Sequence, residues 1–451
     1  MIKYFSTHRA FYKILFFVSL PIILQNFITS SLSMVDTVLV GRLGQSQIAA
    51  VGQANQIMFL MTLLLFGVGG GTAIFTAQFW GNKNLDGFKK SLGLGVIFAI
   101  IVSGLFTLVS LIIPESLISL YSKDPEVIAY GVSFLKIVCF SYIFSAITLV
   151  LSFVLRTTGQ VMLPMIASII AFIANTLLNF ILIFGFMGIP AMGVRGSALA
   201  TVIARILELS IILIFAYRRK LPCAIKLYEI FSFNLDYLKR YLKIALPVIA
   251  NEGLWALGTT MYSVVYGRMG TDVTSAMVIA LVIDNMAFIL IRGIGSSSAI
   301  MVGNEIGKGD KKSAYKYGVL FGITAVIIGI ITAAVIIPLA WPALNFYNVS
   351  NEVKTMCINV IIVMALIIAV KSFNFTMVTG VFRAGGDTVF CLLLDLLGVW
   401  CLGVPSAIIF GLWLKWPIHG VFLLINIEEI CKIFICIIRL RSRKWINNVS
   451  L

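Results

Sequence analysis

The amino-acid sequence predicts an all-α polytopic membrane protein, with twelve transmembrane helices in two six-helix lobes that are parallel repeats. Its 451 residues are 60% hydrophobic and only 12% charged, whereas a soluble domain is about 45–50% apolar and about 25% charged. Apolar runs of membrane-spanning length recur along the whole chain, which is typical of a helical membrane protein. The second half of the chain also repeats the first.

The repeat is seen as four segments that return in the same order, at an offset of 226–227 residues. The matched pairs are Ser19–Ile22 with Ala245–Val248, Gly41–Gly44 with Gly267–Gly270, Gly81–Asn84 with Gly307–Asp310, and Leu155–Gln160 with Phe382–Asp387. One register held across most of each half is not expected by chance. In so apolar a chain, such a duplication indicates a transporter whose path lies between the repeats.

Twelve apolar segments are long enough to span a bilayer. They lie at residues 14–40, 47–79, 90–113, 127–155, 162–186, 193–217, 239–267, 275–304, 313–338, 353–381, 388–410 and 418–440. Six fall in each half, and an even number gives both halves the same orientation, so the repeats are parallel and not inverted. This organisation predicts an N-terminal lobe over 1–217, a charged linker over 218–240 and a C-terminal lobe over 241–451.

The net charge of +16 is distributed as in a membrane protein rather than in a nucleic-acid-binding protein. One set of predicted loops holds 23 lysines and arginines, and the other set holds 6. The positive-inside rule then places both termini and the 218–243 linker in the cytoplasm. We therefore expect a multi-pass protein of the inner (plasma) membrane that contacts anionic lipid and binds no nucleic acid.

The most prominent candidate for a functional residue is Asp36, in the outer part of the first span. An ionisable side chain at the centre of a membrane helix costs roughly 2.5–3.5 kcal/mol on insertion scales, so such residues normally face a cavity or a partner. Asp36 has no basic residue within one turn. An unpaired carboxylate there must take up a proton or bind a cation such as sodium, as an ion-coupled carrier requires. The alternative is a structural hydrogen bond within the N-terminal lobe.

Two acids in the second half are further candidates for a cation or substrate site. Glu252 lies in the repeat of the first span, but at another register than the acid of that span, and Asp284 is specific to the second half. Arg292 follows Asp284 on roughly the same helix face, which fits either a structural ion pair or a cavity site. Lys371 is a potential counter-ion for either acid or for Asp395, and the sequence leaves its partner open.

Two other pairs of ionisable residues are spaced to share one face of a helix. Arg205 and Glu208 are three residues apart, and Glu428 and Lys432 are four residues apart. Side chains at these spacings are neighbours on a helix, so we expect each pair to form a structural ion pair.

Three neutral polar residues are candidates to surround Asp36. Asn175 and Asn179 are four residues apart on one face of the fifth span, and Thr201 lies in the sixth span. They fit two interpretations equally, a ring of amides and hydroxyls around the acid or ordinary hydrogen bonds between membrane helices.

Several motifs, taken in their order, resemble those of the multidrug and toxic compound extrusion (MATE) transporters over nearly the full chain. They are Pro21 with Asp36 fifteen residues later, Gly41–Gly44, Ala49–Gly52, Ala77–Gly81, Leu155–Gly159, Gly193–Thr201 and Val381–Asp387. The resemblance implies two six-helix lobes arranged as a V around a central cavity. It also implies export of organic, often cationic and amphipathic compounds, driven by inward flow of protons or sodium ions.

The resemblance also implies roles for individual residues. Asp36 stands at the place of an acid that acts in the N-terminal lobe of the family, and Asn175, Asn179 and Thr201 match positions around it. Some members have an acid where this chain has Asn179, so the choice between proton and sodium stays open. Glu252 lies about one turn before an acid that some members use in the seventh span, so the role carries over only loosely.

The predicted function is a secondary active antiporter, a monomer without a cofactor, that exports small organic cations such as drugs. The alternative is a lipid-linked oligosaccharide flippase of a related fold. Seven embedded acids against five embedded bases favour cationic cargo. An enzyme is not expected, because the chain lacks the clustered aspartates that hold magnesium diphosphate in prenyl transfer.

Overall fold

The computed structural model describes residues 8–186, 188–345, 347 and 349–450, except for the side chains of Ser33 and Ala343. Over these residues the chain folds into helices without a β-strand. The α-helices are α1 (Arg9–Gly41), α2 (Gln45–Gly81), α3 (Leu85–Ile112), α4 (Pro114–Ser119), α5 (Pro125–Val138), α6 (Ser141–Thr157), α7 (Met162–Phe184), α8 (Gly193–Arg218), α9 (Leu235–Met269), α10 (Thr271–Gly307), α11 (Lys311–Leu344), α12 (Asn351–Phe382), α13 (Thr388–Trp413), α14 (Ile418–Ile425) and α15 (Ile427–Ser442). A 3-10 helix, Leu227–Phe231, lies in the linker.

The described helices account for the twelve predicted membrane spans. Nine of them, α1, α2, α3, α7, α8 and α10 to α13, are long and apolar enough to cross a membrane, and α5 with α6 forms a tenth span that is bent by 53°. Helix α9 has 35 residues, well beyond the about 20 that a bilayer requires, but its first turns are charged. The last span is divided into α14 and α15 at Asn426.

Prolines lie inside α1 and α9 at equivalent places of the repeat, Pro21 and Pro247. A proline inside a helix lacks the N–H and crowds the carbonyl four residues earlier, which weakens the helix at that point. The chain divides between two compact units two residues past each proline, after Ile23 and after Ile249. Each proline therefore lies at the point where a helix passes from one unit to the other.

The two compact units do not coincide with a single cut of the chain in the linker. Unit 1 contains the chain up to Ile23, Ala77–Lys83 and Ala250–Leu451, and unit 2 contains Leu24–Thr76 and Asn84–Ile249. The first turns of α1 thus group with the second half of the chain, and the first turns of α9 group with the first half. The predicted lobe boundaries, 1–217 and 241–451, stay a prediction.

Each unit has its own packed interior. In unit 1, Phe11, Phe321 and Trp445 are buried in one hydrophobic cluster, which fixes the start of α1 and the segment after α15 to α11. In unit 2, the Tyr241 ring stacks against Phe75 and Phe98, with ring centroids 5.4 and 5.8 Å apart. Such aromatic pairs add to the free energy of burial and fix how the helices are oriented.

Within unit 1, the end of α2 and the end of α10 contact each other backbone to backbone at glycines. A Cβ on Gly307, at the end of α10, would collide with the backbone of Gln78 in α2, and a Cβ on Gly81 would collide with the backbone of Asn304. We expect Gly307→Ala to lower the free energy of unfolding by about 1–3 kcal/mol, because the added methyl group forces the helices apart. The measurement is thermal unfolding of the purified protein in detergent.

The matched control for this substitution is Gly52→Ala in α2, where a Cβ meets no atom within 4 Å. Alanine favours a helix over glycine, so the control is expected to be neutral or slightly stabilising. An unfolding midpoint of Gly307→Ala equal to that of the unaltered protein would contradict the close helix contact.

Candidate functional site

In unit 2, helices α1, α7 and α8 each carry polar side chains that are spaced so as to lie on one face of the helix. They are Gln25 and Asp36 on α1, Ser168, Asn175 and Asn179 on α7, and Thr201, Arg205 and Glu208 on α8. Helices α7 and α8 pack along each other. The polar faces of these three helices therefore form one seam within unit 2.

Asp36 is joined to α7 by a short hydrogen bond. The side-chain N–H of Asn179 (Nδ2) donates to Asp36 Oδ1 at 2.6 Å and to Asn175 Oδ1 at 2.9 Å. Both asparagines are fully buried and Asp36 is half-buried. Among the described residues, Asn179 Oδ1 and Asn175 Nδ2 find no hydrogen-bond partner. The structure thus brings three predicted site residues together and leaves unused polar atoms beside the carboxylate.

Thr201 and Arg205 lie on the same face of α8. The Thr201 hydroxyl donates to the Ser197 carbonyl at 3.0 Å, so this bond stays within α8. Arg205 Nη1 lies 2.8 Å from Glu208 Oε2, which confirms the predicted ion pair. The Arg205 charge also acts on Asp36 over a longer range. The site therefore holds two carboxylates and one guanidinium, with Glu208 in the direct ion pair and Asp36 held by an amide.

A chain of hydrogen bonds runs from Glu208 to α6. Ser168 Oγ donates to Glu208 Oε1 at 2.7 Å and accepts from Gln25 Nε2 at 3.1 Å. Gln25 Oε1 in turn accepts from Arg156 Nη2 at 2.7 Å. Sequence reasoning missed Gln25 and Ser168, although each precedes a predicted site residue by whole turns of its helix. That periodicity is the signal that was available to find them.

A small cavity lies among these groups. Its lining consists of Ile28, Thr29, Leu32, Ser168, Ala171, Phe172, Asn175, Ala204, Arg205 and Glu208. The cavity volume is about 10 Å³, on the order of a single water molecule. One of the lining residues, Asn175, carries the N–H group that has no partner in the described part of the chain. The seam therefore has space for a water-sized ligand beside the residue that bonds Asn179.

The two predicted acids of the second half lie in unit 1, and both have basic neighbours. Glu252 Oε1 lies 2.7 Å from Nη1 of the buried Arg383. Asp284 Oδ2 lies 4.0 Å from Lys371 Nζ, which identifies the partner that the sequence left open. Arg292 donates instead to an amide on its own helix, at 3.4 Å. Protein cations therefore compensate both acids directly, which distinguishes them from Asp36.

No three His, Cys, Asp or Glu side chains form a metal-binding group in the part of the chain that the structure describes. A sodium ion at Asp36 would take its other ligands from amide and hydroxyl oxygens of Asn175, Asn179 and Thr201. In the structure, however, Asn179 presents its N–H to Asp36 and not its oxygen. This arrangement suits a carboxylate held by a hydrogen bond better than two oxygens that share a cation.

Gln25 is expected to stabilise the buried guanidinium of Arg156. The Nε atom of Arg156 has no partner among the described residues, so loss of the Gln25 oxygen would leave a second N–H without an acceptor. We expect Gln25→Leu to lower the free energy of unfolding by about 1.5–3 kcal/mol, the usual contribution of a hydrogen bond to a charged group. Denaturant unfolding of the purified protein measures this loss.

The control is Gln53→Leu in α2, because Gln53 Oε1 is buried without a hydrogen-bond partner within the described ranges. Replacing an unsatisfied amide by an apolar side chain is expected to cost little. Equal losses in the two variants would contradict a specific role of Gln25.

The family model described as MatE matches residues 21–181 and 247–409, one stretch in each half of the repeat. The chain is similar to the uncharacterized transporter YisQ of Bacillus subtilis, with 24% identity over 440 residues that cover 96% of this chain and 95% of that protein. It is also similar to a probable multidrug resistance protein, NorM, of Thermotoga maritima. The identity there is 21% over 438 residues, which cover 95% and 91% of the two chains.

Solved structures show the same fold. A mutant of the Vibrio cholerae MATE transporter VcmN superposes with a TM-score of 0.88 at 19% identity, over 99% of both chains. A MOP superfamily transporter from Pyrococcus furiosus superposes with a TM-score of 0.85 at 20% identity, over 96% of this chain and 95% of its own. The predicted fold of twelve membrane helices in two repeated lobes is thereby confirmed.

Proposed function

The chain belongs to the MatE family of membrane transporters, so it is a transporter and not an enzyme, and we propose that it exports organic cations by antiport. In this proposal the cargo is a small amphipathic cation such as a drug. Inward movement of protons or sodium ions drives its export by alternating access. The name of the Thermotoga relative, a probable multidrug resistance protein, supports a drug-like cargo.

The observation that carries the proposal is the state of Asp36. Its carboxylate is half-buried in a membrane helix, yet its direct partner is an amide, whereas Glu208, Glu252 and Asp284 each lie beside a protein cation. A carboxylate that is desolvated without a paired cation is poised to gain one positive charge and to lose it again. Reversible neutralisation of this kind is what ion coupling requires.

The geometry around Asp36 favours the proton over sodium as the coupling ion. An ionised Asp36 accepts the N–H of Asn179, as in the structure. A protonated Asp36 has a hydrogen to donate and needs an acceptor, which Asn179 Oδ1 provides when the amide turns over. Asn175 can then donate its unused N–H to the same oxygen. Protonation would thus reverse the direction of both hydrogen bonds that link Asp36, Asn179 and Asn175.

This reversal gives the coupling ion a local effect on helix packing. Asp36 is on α1, and the two asparagines are on α7, so the bonds that change direction connect two helices of unit 2. A charge or hydrogen-bond change at such a contact biases an element that has two arrangements. In the proposed cycle, protonation of Asp36 from outside favours release of the cationic cargo, and loss of the proton to the cytoplasm restores the binding state.

The proposal also includes the location and assembly of the transporter. The excess of lysine and arginine in one set of loops supports cytoplasmic termini and insertion in the inner (plasma) membrane. A monomer is sufficient for the cycle, because both repeats belong to a single chain. The coupling ion binds transiently at side chains, so no cofactor takes part.

Uptake of a fluorescent lipophilic cation into inverted, energised vesicles that contain the purified protein tests the proposal. A proton gradient and a sodium gradient are applied in separate experiments, with vesicles lacking the protein as background. Uptake under one gradient establishes antiport and identifies the ion. Absence of uptake under both gradients, with folded protein, would contradict the proposal. Accumulation of a lipid-linked sugar after deletion of the gene would then favour a flippase.

A further inference from the structure

A second buried acidic group lies in unit 1, where the last membrane span is broken. Helix α14 ends at Ile425 and α15 begins at Ile427, and Glu428 lies in the first turn of α15. Glu428 follows Ile418 by ten residues, about 15 Å along a helix, which is half the thickness of a hydrocarbon core of about 30 Å. Discontinuous helices near the bilayer midplane are a recurrent setting for coupling-ion sites in transporters.

Three ionisable side chains meet at this break. Lys432 Nζ lies 3.1 Å from Asp395 Oδ1 and 3.4 Å from Glu428 Oε2. Glu428 is 7% exposed and Lys432 is 6% exposed. The expected ion pair between Glu428 and Lys432 is therefore present, but the lysine lies closer to Asp395. We refer to Asp395, Lys432 and Glu428 as the acid–lysine triad.

The triad has one negative charge more than it can balance, because two carboxylates share one ammonium. Asp395 is well compensated: Oδ1 accepts from Lys432, and Oδ2 accepts from Asn251 Nδ2 at 3.0 Å. Glu428 Oε2, by contrast, is buried, and beyond the longer ion pair with Lys432 at 3.4 Å it has no hydrogen-bond partner in the described part of the chain. A buried carboxylate oxygen without a well-formed hydrogen bond is unfavourable, and uptake of a proton removes the excess charge.

Helix α13 provides close-fitting walls for the triad. A Cβ on Gly398 would collide with Glu428 Oε2 and with the Lys432 side chain, and a Cβ on Gly403 would collide with the Tyr262 hydroxyl. Both glycines lie in a π-helical stretch, Leu397–Gly403, a local distortion that is frequent at functional sites. The glycines therefore allow the acid, the lysine and the phenol to reach the backbone of α13.

Charged and titratable groups from three helices surround Glu428. Helix α15 itself contributes Glu429 and Lys432, α13 contributes Asp395, and α9 contributes Tyr262. Glu429 is already engaged, because its Oε2 accepts from Asn374 Nδ2 at 2.8 Å. A metal cation would stand directly beside the ammonium of Lys432 and be repelled by it. A proton, in contrast, forms an O–H bond on the carboxylate and needs no coordination space beside the ammonium.

We propose that the acid–lysine triad is a proton-binding site, with the proton held on Oε2 of Glu428. This site is separate from Asp36 and belongs to the other unit. Proton binding neutralises the excess charge of the triad, and release of the proton restores it. Only the role of this proton in transport rests on the proposed antiport function; its binding does not.

Infrared spectroscopy of the full-length protein in lipid nanodiscs tests the site directly. A protonated carboxyl group has a C=O stretching band that an ionised carboxylate lacks. At neutral pH we expect such a band. Incorporation of glutamate whose side-chain carboxyl carries a heavy carbon isotope should shift it, which assigns the band to a glutamate. The band should be lost in Glu428→Gln and retained in the matched variant Glu429→Gln. Labelled aspartate reports separately on Asp36.

If Glu428→Gln does not fold, the labelled protein without any substitution still tests the proposal, because the glutamate carboxyl band is measured in it directly. Absence of a glutamate carboxyl band in that protein at neutral pH would overturn the proposal. A band that persists in folded Glu428→Gln, or that disappears in Glu429→Gln, would overturn it equally. None of these readouts requires transport, so antiport and the proton site can fail independently of each other.

Transport measurements then test the role of the site. If both sites carry a coupling proton, the ratio of protons to cargo molecules in vesicles should fall about twofold in Glu428→Gln, because one of two proton-binding sites is lost. An unchanged ratio, together with loss of the infrared band, would overturn a coupling role. Vesicles without any gradient-driven transport would contradict the antiport proposal and leave the infrared assignment of the proton intact.

Discussion

Asp36→Asn is expected to reduce gradient-driven uptake to the background of empty vesicles. Asparagine keeps the size of the side chain but has no negative charge, so it neither takes up a proton nor attracts a cation. Its oxygen can still accept the Asn179 N–H that now bonds Asp36 at 2.6 Å, so the fold should be preserved. Initial uptake rates of a fluorescent cation, normalised to the amount of folded protein, measure the effect.

The matched control is Asp86→Asn, the same substitution at an exposed acid of unit 2. Asp86 pairs with Lys90 at 2.6 Å with 74% of its side chain exposed, and exposed ion pairs contribute little to stability. This variant should transport at the rate of the unaltered protein. Full, gradient-dependent uptake by a folded Asp36→Asn protein would remove Asp36 from the mechanism.

Arg383→Met is expected to cause the largest loss of stability, about 3–5 kcal/mol in the free energy of unfolding. Arg383 is buried and donates to Glu252 at 2.7 Å. Removing the arginine leaves the partly buried Glu252 carboxylate without its direct partner, and an uncompensated charge of this kind costs more than the loss of the pair as a whole. Denaturant unfolding of Arg383→Met, Glu252→Met and the double variant measures the coupling.

The double variant separates two roles for Glu252. If the pair is structural, Glu252→Met with Arg383→Met should recover much of the stability and keep transport, because both charges are removed together. If Glu252 binds cargo or the coupling ion, the double variant should be stable but inactive. If the double variant lost as much stability as the two single variants together, a direct interaction between these side chains would be contradicted.

The elements that the sequence predicts well are those set by local periodicity. Apolar segments of sufficient length predict the spans, because a helix must satisfy its backbone within the bilayer. The repeated prolines, Pro21 and Pro247, are found at equivalent places inside α1 and α9. The pair Arg205 and Glu208 is likewise predicted by a three-residue spacing and forms at 2.8 Å, since neighbours on a helix face meet whatever the tertiary fold is.

Contacts between distant segments could not be predicted in this way. The spacing of Glu428 and Lys432 indicates a pair, but not that Asp395 lies closer to the lysine. That contact depends on how α13 packs on α15, and a single sequence does not predict this packing. Lys371 had several candidate partners for the same reason, and only the packing of α10 on α12 selects Asp284.

The division of α1 and α9 between the two units is a further case. Helical periodicity predicts each as a continuous span, and both are continuous helices in the structure. Membership of a unit depends on the tertiary contacts on either side of the proline. The prolines mark the point in the sequence, but only the packing shows which unit each part of the helix joins.

The most direct test of ion-coupled antiport is ion movement driven by cargo alone. Proteoliposomes are loaded with a lipophilic cation and an entrapped pH indicator and then diluted into cargo-free buffer, with no ion gradient imposed. The account predicts acidification of the interior as cargo leaves, and no acidification with Asp36→Asn; a sodium indicator replaces the pH indicator in a parallel sample. Cargo that leaves through the unaltered protein without inward movement of either ion would contradict the account.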